Sequence, residues 1–262
     1  MSILKSTTDP FGGIILEPNN LPTDLKVFAN DLKESIHNWQ TTDSKLVWLK
    51  LMISQSNLIH PAVNLGFNFH HTSEQSLMLV YRLKSKAFIP PFASHYIGIG
   101  GVAINSNSEI LVVREKYVRK GQINQLKLPG GAINADEHLV DGVIREVLEE
   151  TGVETEFVSV SSFRHIHEYR YRKSDIYFVA LLKPLSNKIT PQTEEIEECK
   201  WMPLQEYMNS PEISDFNKIV VKSTLVKPNF TSKLIDEYRP KDLYEFFLPE
   251  SVDDSNLVER YF

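Results

Sequence analysis

The stretch GGAINADEHLVDGVIREVLEETGV, residues 130–153, places one Arg and three Glu within six consecutive positions. Glu146, Glu149 and Glu150 recur at spacings of three and four, so a helix brings their carboxylates onto one strip of its surface. A charge run often only keeps a helix solvated. Here Arg145 is the only Lys or Arg of the stretch. Because clustered carboxylates repel one another and suit a hard divalent cation, we predict that they bind metal.

The residues around this cluster define the predicted helix. PGG at 129–131 indicates a sharp turn, and Asp136 is the expected N-cap. The helix should run from about Glu137 to Thr151 and end at Gly152. Its expected buried stripe has the spacing of a helix face and consists of Val140, Ile144, Val147 and Leu148.

The composition is that of a soluble globular protein. The chain has 262 residues, of which 42% are hydrophobic and 24% charged, with a formal charge of −6. This balance gives no support for nucleic-acid binding. The single Cys199 excludes an intramolecular disulfide and a Cys-based zinc site. Neither a signal peptide nor a membrane span is expected from the apolar pattern, so we predict a cytoplasmic protein without a membrane partner.

The first 90 residues predict a small α/β unit of order β-α-β-α-β-β. Helices are expected from Thr23 and over 55–66, the second either kinked at Pro61 or beginning there, and ending at Gly66. The strands are expected in FGGIILE (11–17), KLVWLKL (45–51), FNFHH (67–71) and SLMLVYRL (76–83). The paired Pro in residues 84–95 marks a linker, with a domain boundary near residue 90.

Two further segments are candidates for substrate contact. If 161–173 is a strand, its aromatic side chains alternate with Arg side chains, and the two types suit base stacking and phosphate binding. An exposed or dimer-facing strand is the alternative. In the acidic segment 190–201, Glu195 is a candidate for substrate contact. The alternative is that this segment is only a solvated turn. YIGIGG (96–101) is interpreted as a strand whose glycines allow close packing, because no helix follows it.

The quoted stretch resembles the Nudix box, G-x5-E-x7-R-E-U-x-E-E-x-G-U, from Gly131 to Val153. Segments SHYIGIGGVAIN, KLPGG, SDIYFVALL and EEIEECKWMPLQEY resemble the strands and closing segment of a Nudix domain. The first 90 residues resemble the pre-Nudix domain of a branch that includes plant ADP-ribose/NADH pyrophosphatases and the vertebrate antisense fibroblast growth factor protein.

This resemblance implies a fold and three domain ranges. We expect a Nudix α/β/α sandwich around a mixed sheet, preceded by a smaller α/β domain that resembles half of an acetyltransferase fold. The ranges are 1–90 for the pre-Nudix domain and linker, 91–210 for the Nudix domain and 211–262 for a C-terminal extension. A homodimer is expected.

The resemblance also implies roles for the site residues. Mg²⁺, replaceable by Mn²⁺, would be held by Glu146, Glu149, Glu150 and the Gly131 carbonyl. Arg145 would orient Glu146 or a neighbouring carboxylate, and Glu137 would anchor the start of the helix. The catalytic residues are expected to be Glu146, Arg145 and Glu149. The expected substrate-binding residues are Lys127, Phe163, Arg164, Arg170 and Glu195.

The implied function is metal-dependent hydrolysis of the diphosphate bond of a nucleoside diphosphate derivative. ADP-ribose and NADH, a nucleotide sugar and a dinucleotide, are the preferred substrates. Coenzyme A, a dinucleoside polyphosphate, an RNA cap and an inositol pyrophosphate are alternatives, and the acidic charge balance disfavours the last two. A regulatory protein that uses a Nudix site only for recognition is the alternative from another class.

Overall fold

The computed structural model of the protein describes residues 2–117, 123–226, 229–232, 234, 240–243, 245 and 247–249. The chain divides into two units, Met1–Ser94 and His95–Phe262, and the division lies in the predicted linker. The first unit has one buried apolar cluster and the second unit has two. The two units are therefore described separately.

The first unit is built on a five-stranded sheet of order β1-β2-β3-β5-β4. β2 and β3 are parallel, whereas the other neighbours are antiparallel. The strands are β1 (Thr7–Thr8), β2 (Gly13–Leu16), β3 (Leu46–Met52), β4 (Asn68–Thr72) and β5 (Ser76–Arg82). The predicted order of strands and helices is confirmed, with the two-residue β1 as an addition.

Helix α1 (Leu25–Gln40) covers the apolar side of this sheet. The Asp24 carboxylate accepts hydrogen bonds from the amides of Lys26 and Val27 and so caps the helix. The second predicted helix is divided in two, because a 3-10 helix (Ile53–Leu58) precedes the short α2 (Ile59–Asn64). A further 3-10 helix covers Pro18–Asn20. Gly66, at φ +101°, follows α2 in a conformation that favours glycine.

The second unit contains a mixed six-stranded sheet of order β13-β12-β9-β10-β6-β8. β6 and β10 are parallel, from His95 opposite Ser174 to Ala103 opposite Leu182. The strands of this sheet are β6 (His95–Ala103), β8 (Gly130–Ala132), β9 (Thr155–Ile166), β10 (Ser174–Pro184), β12 (Phe230–Ser232) and β13 (Phe247–Pro249). β7 (Glu109–Glu115) and β11 (Ile196–Pro203) form a separate antiparallel pair.

Helices pack on both faces of the mixed sheet. Neighbouring side chains of β10 face opposite sides of the sheet, so Val179 belongs to one apolar cluster and Ala180 to the other. The cluster that contains Ala180 also contains Val143 and Val147 of helix α3 (Leu139–Thr151). The helices are α3 (Leu139–Thr151), α4 (Leu204–Asn209) and α5 (Asp215–Thr224), with 3-10 helices at Arg170–Arg172 and Lys241–Leu243. The predicted α/β/α sandwich is confirmed. Among the described helices, none is long and apolar enough to cross a membrane.

The start and the buried side of α3 differ from the prediction. His138 occupies the N-cap position without a side-chain bond, whereas Asp136 lies before it at φ +61°. The Glu245 carboxylate instead accepts hydrogen bonds from the amides of Leu139 and Val140, at 2.5 and 3.2 Å. A residue distant in sequence thus performs the capping expected from Asp136.

The buried stripe of α3 is rotated relative to the predicted one. Val147 is fully buried as expected, but Leu148 is 44% exposed. Val140 and Ile144 are half-buried, and the other buried positions are Gly142, Val143, Glu150 and Thr151. Glu150 is therefore not on the solvent-facing strip with Glu149.

The predicted strand over 161–173 ends earlier. β9 stops at Ile166, and a turn through Glu168 at φ +57° leads into the 3-10 helix at Arg170–Arg172. Only the first part of the expected alternation is therefore present. α5 covers most of the segment FNKIVVKSTLV (216–226). Much of the tail, including residues 250–262, lies outside the described residues.

Replacing Phe28 by Ala is expected to destabilise the first unit by about 3–5 kcal/mol, because the fully buried ring would leave a cavity. The adjacent Val27, 47% exposed on the same helix, provides the matched control, and Val27→Ala should change stability by about 0.5 kcal/mol or less. Urea unfolding followed by circular dichroism measures both. Equal midpoints for the two variants would contradict this packing.

Candidate functional site

Arg145 joins the carboxylates of α3 and of the loop before it. Its Nε and Nη2 donate to the two carboxylate oxygens of Glu137, at 2.6 and 2.8 Å. Nη1 donates to Glu146 at 2.9 Å and to Glu149 at 3.0 Å. Nη2 also donates to the Ala132 carbonyl at 3.2 Å. One guanidinium therefore fixes three acidic side chains and strand β8.

The strongest of these contacts is the two-point pair with Glu137. Hydrogen bonds from Arg145 are the main reason that the pKa of Glu137 is lowered to about 2. The pKa of Arg145 is raised in turn, chiefly by Glu137. Glu137 also accepts from the Asn134 amide at 2.8 Å, so it fixes the loop that leads into α3. This geometry agrees with the anchoring role predicted for Glu137.

Glu150 lies on the other side of α3 and is only 6% exposed. Its Oε2 accepts a hydrogen bond from the Gly130 amide at 2.8 Å. Burial is the main reason that the pKa of Glu150 is raised to about 7; Lys127 and the Gly130 amide act in the opposite direction, and the nearby Glu146 and Glu115 add to the increase. A cation beside this group would therefore stabilise its charged form.

Gly130 and Gly131 let the two carboxylates approach the same turn. Gly130 has φ +148°, and a Cβ there would lie 2.3 Å from the Ile99 carbonyl oxygen. A Cβ at Gly131 would lie 2.4 Å from Oε2 of Glu146. Gly130 therefore requires glycine, whereas a side chain at Gly131 would displace the Glu146 carboxylate. The PGG signal thus reflects close packing against these carboxylates as well as a turn.

The chemistry of this donor set suits a hard divalent cation. Glu146 touches Gly131, and Glu150 binds the adjacent Gly130 amide, so carboxylate oxygens reach one short segment from two directions. In the described part of the chain, no three His, Cys, Asp or Glu side chains are already gathered as a metal group. Glu146 and Glu149 instead bond to Arg145. The carboxylates fit Mg²⁺ by type and charge.

A cavity of about 720 Å³ opens beside the carboxylates. Gly130 and Gly131 form part of its lining, and Lys127, Arg164 and Arg170 bring positive charge to it. Lys127 forms an ion pair with Glu115, which also lines the cavity. Three of the predicted substrate-binding residues are thus gathered at one cavity next to the acidic cluster.

The other two predicted substrate-binding residues lie elsewhere. Phe163, 64% exposed, and Glu195, also exposed, are outside the lining that the described residues form. Phe163 lies outside the lining because side chains alternate along β9: Arg164 faces the cavity, so its neighbour Phe163 faces away. The Glu195 carbonyl accepts from the Lys116 amide. Their roles in binding stay predictions.

Tyr177 is a cavity residue that the sequence analysis missed. A Cβ at Gly98 or Gly100 would meet its side chain at 2.9 or 2.3 Å, and one at Gly130 would lie 3.0 Å from its hydroxyl. The three glycines therefore form the slot that holds the ring. Burial raises the pKa of Tyr177, so the phenol is neutral. In the sequence, the alternating glycines of YIGIGG were the signal for this slot, but they were interpreted only as allowing close packing.

Asp175 and Phe216 were also missed. Asp175 is buried and pairs with Arg164 at 3.3 Å, and Phe216 lines the cavity from helix α5. A lone Asp at a strand start and a lone Phe in a tail carry no spacing pattern. Only the tertiary arrangement brings them to the site.

Comparison with known proteins gives matches along both units. Residues 4–83 match the family model of the Nudix hydrolase domain, and residues 95–223 match that of the NUDIX domain. Nudix hydrolase 8 of Arabidopsis thaliana is 42% identical over 214 residues, which are 81% of this chain and 58% of that protein.

Two other relatives are similar over comparable lengths. Nudix hydrolase 2 of Arabidopsis thaliana is 42% identical, with coverage of 82% of this chain and 77% of the relative. Nucleoside diphosphate-linked moiety X motif 6 of Homo sapiens is 36% identical, with coverage of 78% and 66%. This chain therefore spans between 58% and 77% of the length of these three proteins.

Glu137→Gln is expected to lower the free energy of unfolding at pH 7 by about 1–2 kcal/mol, because it removes a charged partner of Arg145. The pKa of Glu137 is near 2 in the folded protein and 4.5 ordinarily, so the stabilisation is present above pH 4.5 and is lost as the pH falls toward 2. Chemical unfolding at several pH values measures it. The exposed Glu154→Gln is the control, and a difference that persists unchanged at low pH would refute the assignment.

Proposed function

The chain belongs to the Nudix hydrolase family, and from this we propose a Mg²⁺-dependent pyrophosphatase that cleaves nucleoside diphosphate derivatives, with ADP-ribose and NADH as preferred substrates. The predicted family and its branch with an N-terminal Nudix hydrolase domain are confirmed. The observation that carries the proposal is the acidic cluster ordered by Arg145 beside a cavity with positive side chains.

The residues of the cluster would have different roles in hydrolysis. Glu146, Glu149 and Glu150, with the Gly131 carbonyl, would hold Mg²⁺. The bound ion supplies neutralisation of the phosphate oxygens and activation of water. Arg145 orients Glu146 and Glu149 through its Nη1 and is itself fixed by Glu137. The ligand side chains are thus positioned before the substrate binds.

The positive side chains of the cavity would bind the diphosphate. Lys127 lies close enough to Glu150 to lower its pKa, which places its charge near the acidic cluster. Arg170 lines the same cavity. Cleavage of ADP-ribose would yield AMP and ribose 5-phosphate, and cleavage of NADH would yield AMP and reduced nicotinamide mononucleotide.

Two further properties complete the proposal. The single Cys199 suits a reducing compartment, so we propose a cytoplasmic location. A homodimer is proposed from the family resemblance, and light scattering of the purified protein measures it.

The experiment that tests the function is an incubation with a panel of diphosphates and Mg²⁺, followed by chromatography of the products. The panel contains ADP-ribose, NADH, coenzyme A, a dinucleoside polyphosphate, a capped RNA and an inositol pyrophosphate. We expect AMP from ADP-ribose or NADH at the highest kcat/KM. Faster cleavage of another diphosphate in the panel would make that compound the preferred substrate. If no diphosphate in the panel is cleaved, a regulatory binding protein is favoured.

Removal of the metal is expected to abolish hydrolysis, because without the ion the carboxylates of the cluster would repel the diphosphate oxygens and no Lewis acid would activate water. Activity in excess EDTA should vanish and should return with excess Mg²⁺ or Mn²⁺, whereas Ca²⁺ should substitute poorly because its coordination is longer and looser. Initial rates measure each condition. Full activity in the chelator would show that these carboxylates do not work through a metal.

Glu146→Gln is expected to reduce kcat about a hundredfold or more, because an amide cannot act as a base and is a poor Mg²⁺ ligand. KM should change less, since the cavity walls are untouched. Steady-state kinetics and a melting curve measure both properties, with Glu154→Gln as the surface control. Near-normal turnover by a folded Glu146→Gln protein would remove this carboxylate from the mechanism and direct attention to Glu195.

A further inference from the structure

Arg164 lies between two aromatic rings on one wall of the cavity. The central carbon of its guanidinium is 5.2 Å from the centre of the Tyr177 ring and 5.7 Å from that of Phe216. Both distances are within the range of cation–π attraction. The three side chains come from β9, β10 and α5. They form one stack, Tyr177–Arg164–Phe216, whose Tyr177 end reaches Gly130.

The charge of Arg164 is paired with a buried carboxylate next to this stack. Its Nη2 lies 3.3 Å from the carboxylate of Asp175, which is 5% exposed. Its Nε is buried without a hydrogen-bond partner in the described structure, so this donor is not directed at a ligand. Arg164 is thus held beside the rings by its bond to Asp175.

Phe216 is the accessible end of the stack. It is 46% exposed although it lines the cavity, so part of its ring is open to a ligand. The ring is held in place by the start of α5, where the Ser214 hydroxyl accepts a hydrogen bond from the Asn217 amide at 3.2 Å. The half-buried Asn217 lines the cavity beside it. Its side-chain amide can both donate and accept hydrogen bonds, as the edge of a base requires.

We propose that Phe216 binds the nucleobase of the substrate by stacking on it, with Arg164 and Tyr177 as its support and Asn217 beside the base edge. The inference rests on the proposed function for the identity of the ligand as a nucleotide. It assigns recognition of the base to α5, whereas the diphosphate binds at the carboxylates. A substrate half without a base should therefore be insensitive to Phe216.

The test measures equilibrium binding of the two product halves separately by calorimetry, in Mg²⁺. AMP, GMP, CMP and UMP carry a base, and ribose 5-phosphate does not. Phe216→Leu should raise the Kd of the best-binding nucleotide about tenfold, which corresponds to about 1.4 kcal/mol. The Kd of ribose 5-phosphate should stay unchanged. Phe216→Trp, which retains an aromatic face, should bind the nucleotide within about twofold of the unmodified protein.

The control is Ile219→Ala, since Ile219 is on the same helix, is 65% exposed and lies outside the cavity lining. Unchanged nucleotide binding by Phe216→Leu, or an equal loss for ribose 5-phosphate, would overturn the proposal. So would failure of Phe216→Trp to bind. Failure of the proposed hydrolysis is measured separately, because the binding assay needs no turnover.

Discussion

The interaction on which the site depends is the set of hydrogen bonds made by the Arg145 guanidinium. Glu137, Glu146 and Glu149 all accept from it. Without this cation, the acidic side chains would repel one another across one turn of helix. Because Arg145 also donates to the Ala132 carbonyl, the same group fixes α3 against the turn that precedes it. Arg145 thus both balances the charge of the carboxylates and fixes the position of α3.

The second constraint is steric and lies in the glycines that face the cluster. Gly131 makes room for Glu146, while Gly130 binds Glu150 and adjoins the Tyr177 hydroxyl. Glu150 is buried at the cost of a raised pKa, and only its position beside this turn gives it a hydrogen-bond donor. The glycines and the carboxylates are therefore one arrangement, in which backbone and side chain approach more closely than a Cβ permits.

The sandwich was predicted from the family resemblance. Periodicity predicted the order of elements in the first unit and the end of α3 at Gly152, because these depend on local pattern. It failed where distant residues intervene. The cap of α3 comes from Glu245 and not from Asp136, and Leu148 is exposed because packing rotated the buried stripe. In the site, the family resemblance implied that Arg145 orients Glu146 or a neighbouring carboxylate, but not that it pairs with Glu137. Asp175 and Phe216 have no local signal. The strand expected through residue 173 ended at Ile166 because a turn with positive φ follows it.

This difference has a physical reason that bears on function. Ligands for one metal ion can lie on adjacent turns of one helix, so a short motif encodes them. A cavity for an organic group needs walls from several elements, and here β9, β10 and α5 each supply one member of the Tyr177–Arg164–Phe216 stack. The wall can change by substitutions in α5 without disturbing the bonds of Arg145. Under the proposed function, the acidic motif would carry the reaction, and the identity of the substrate would depend on residues outside that motif.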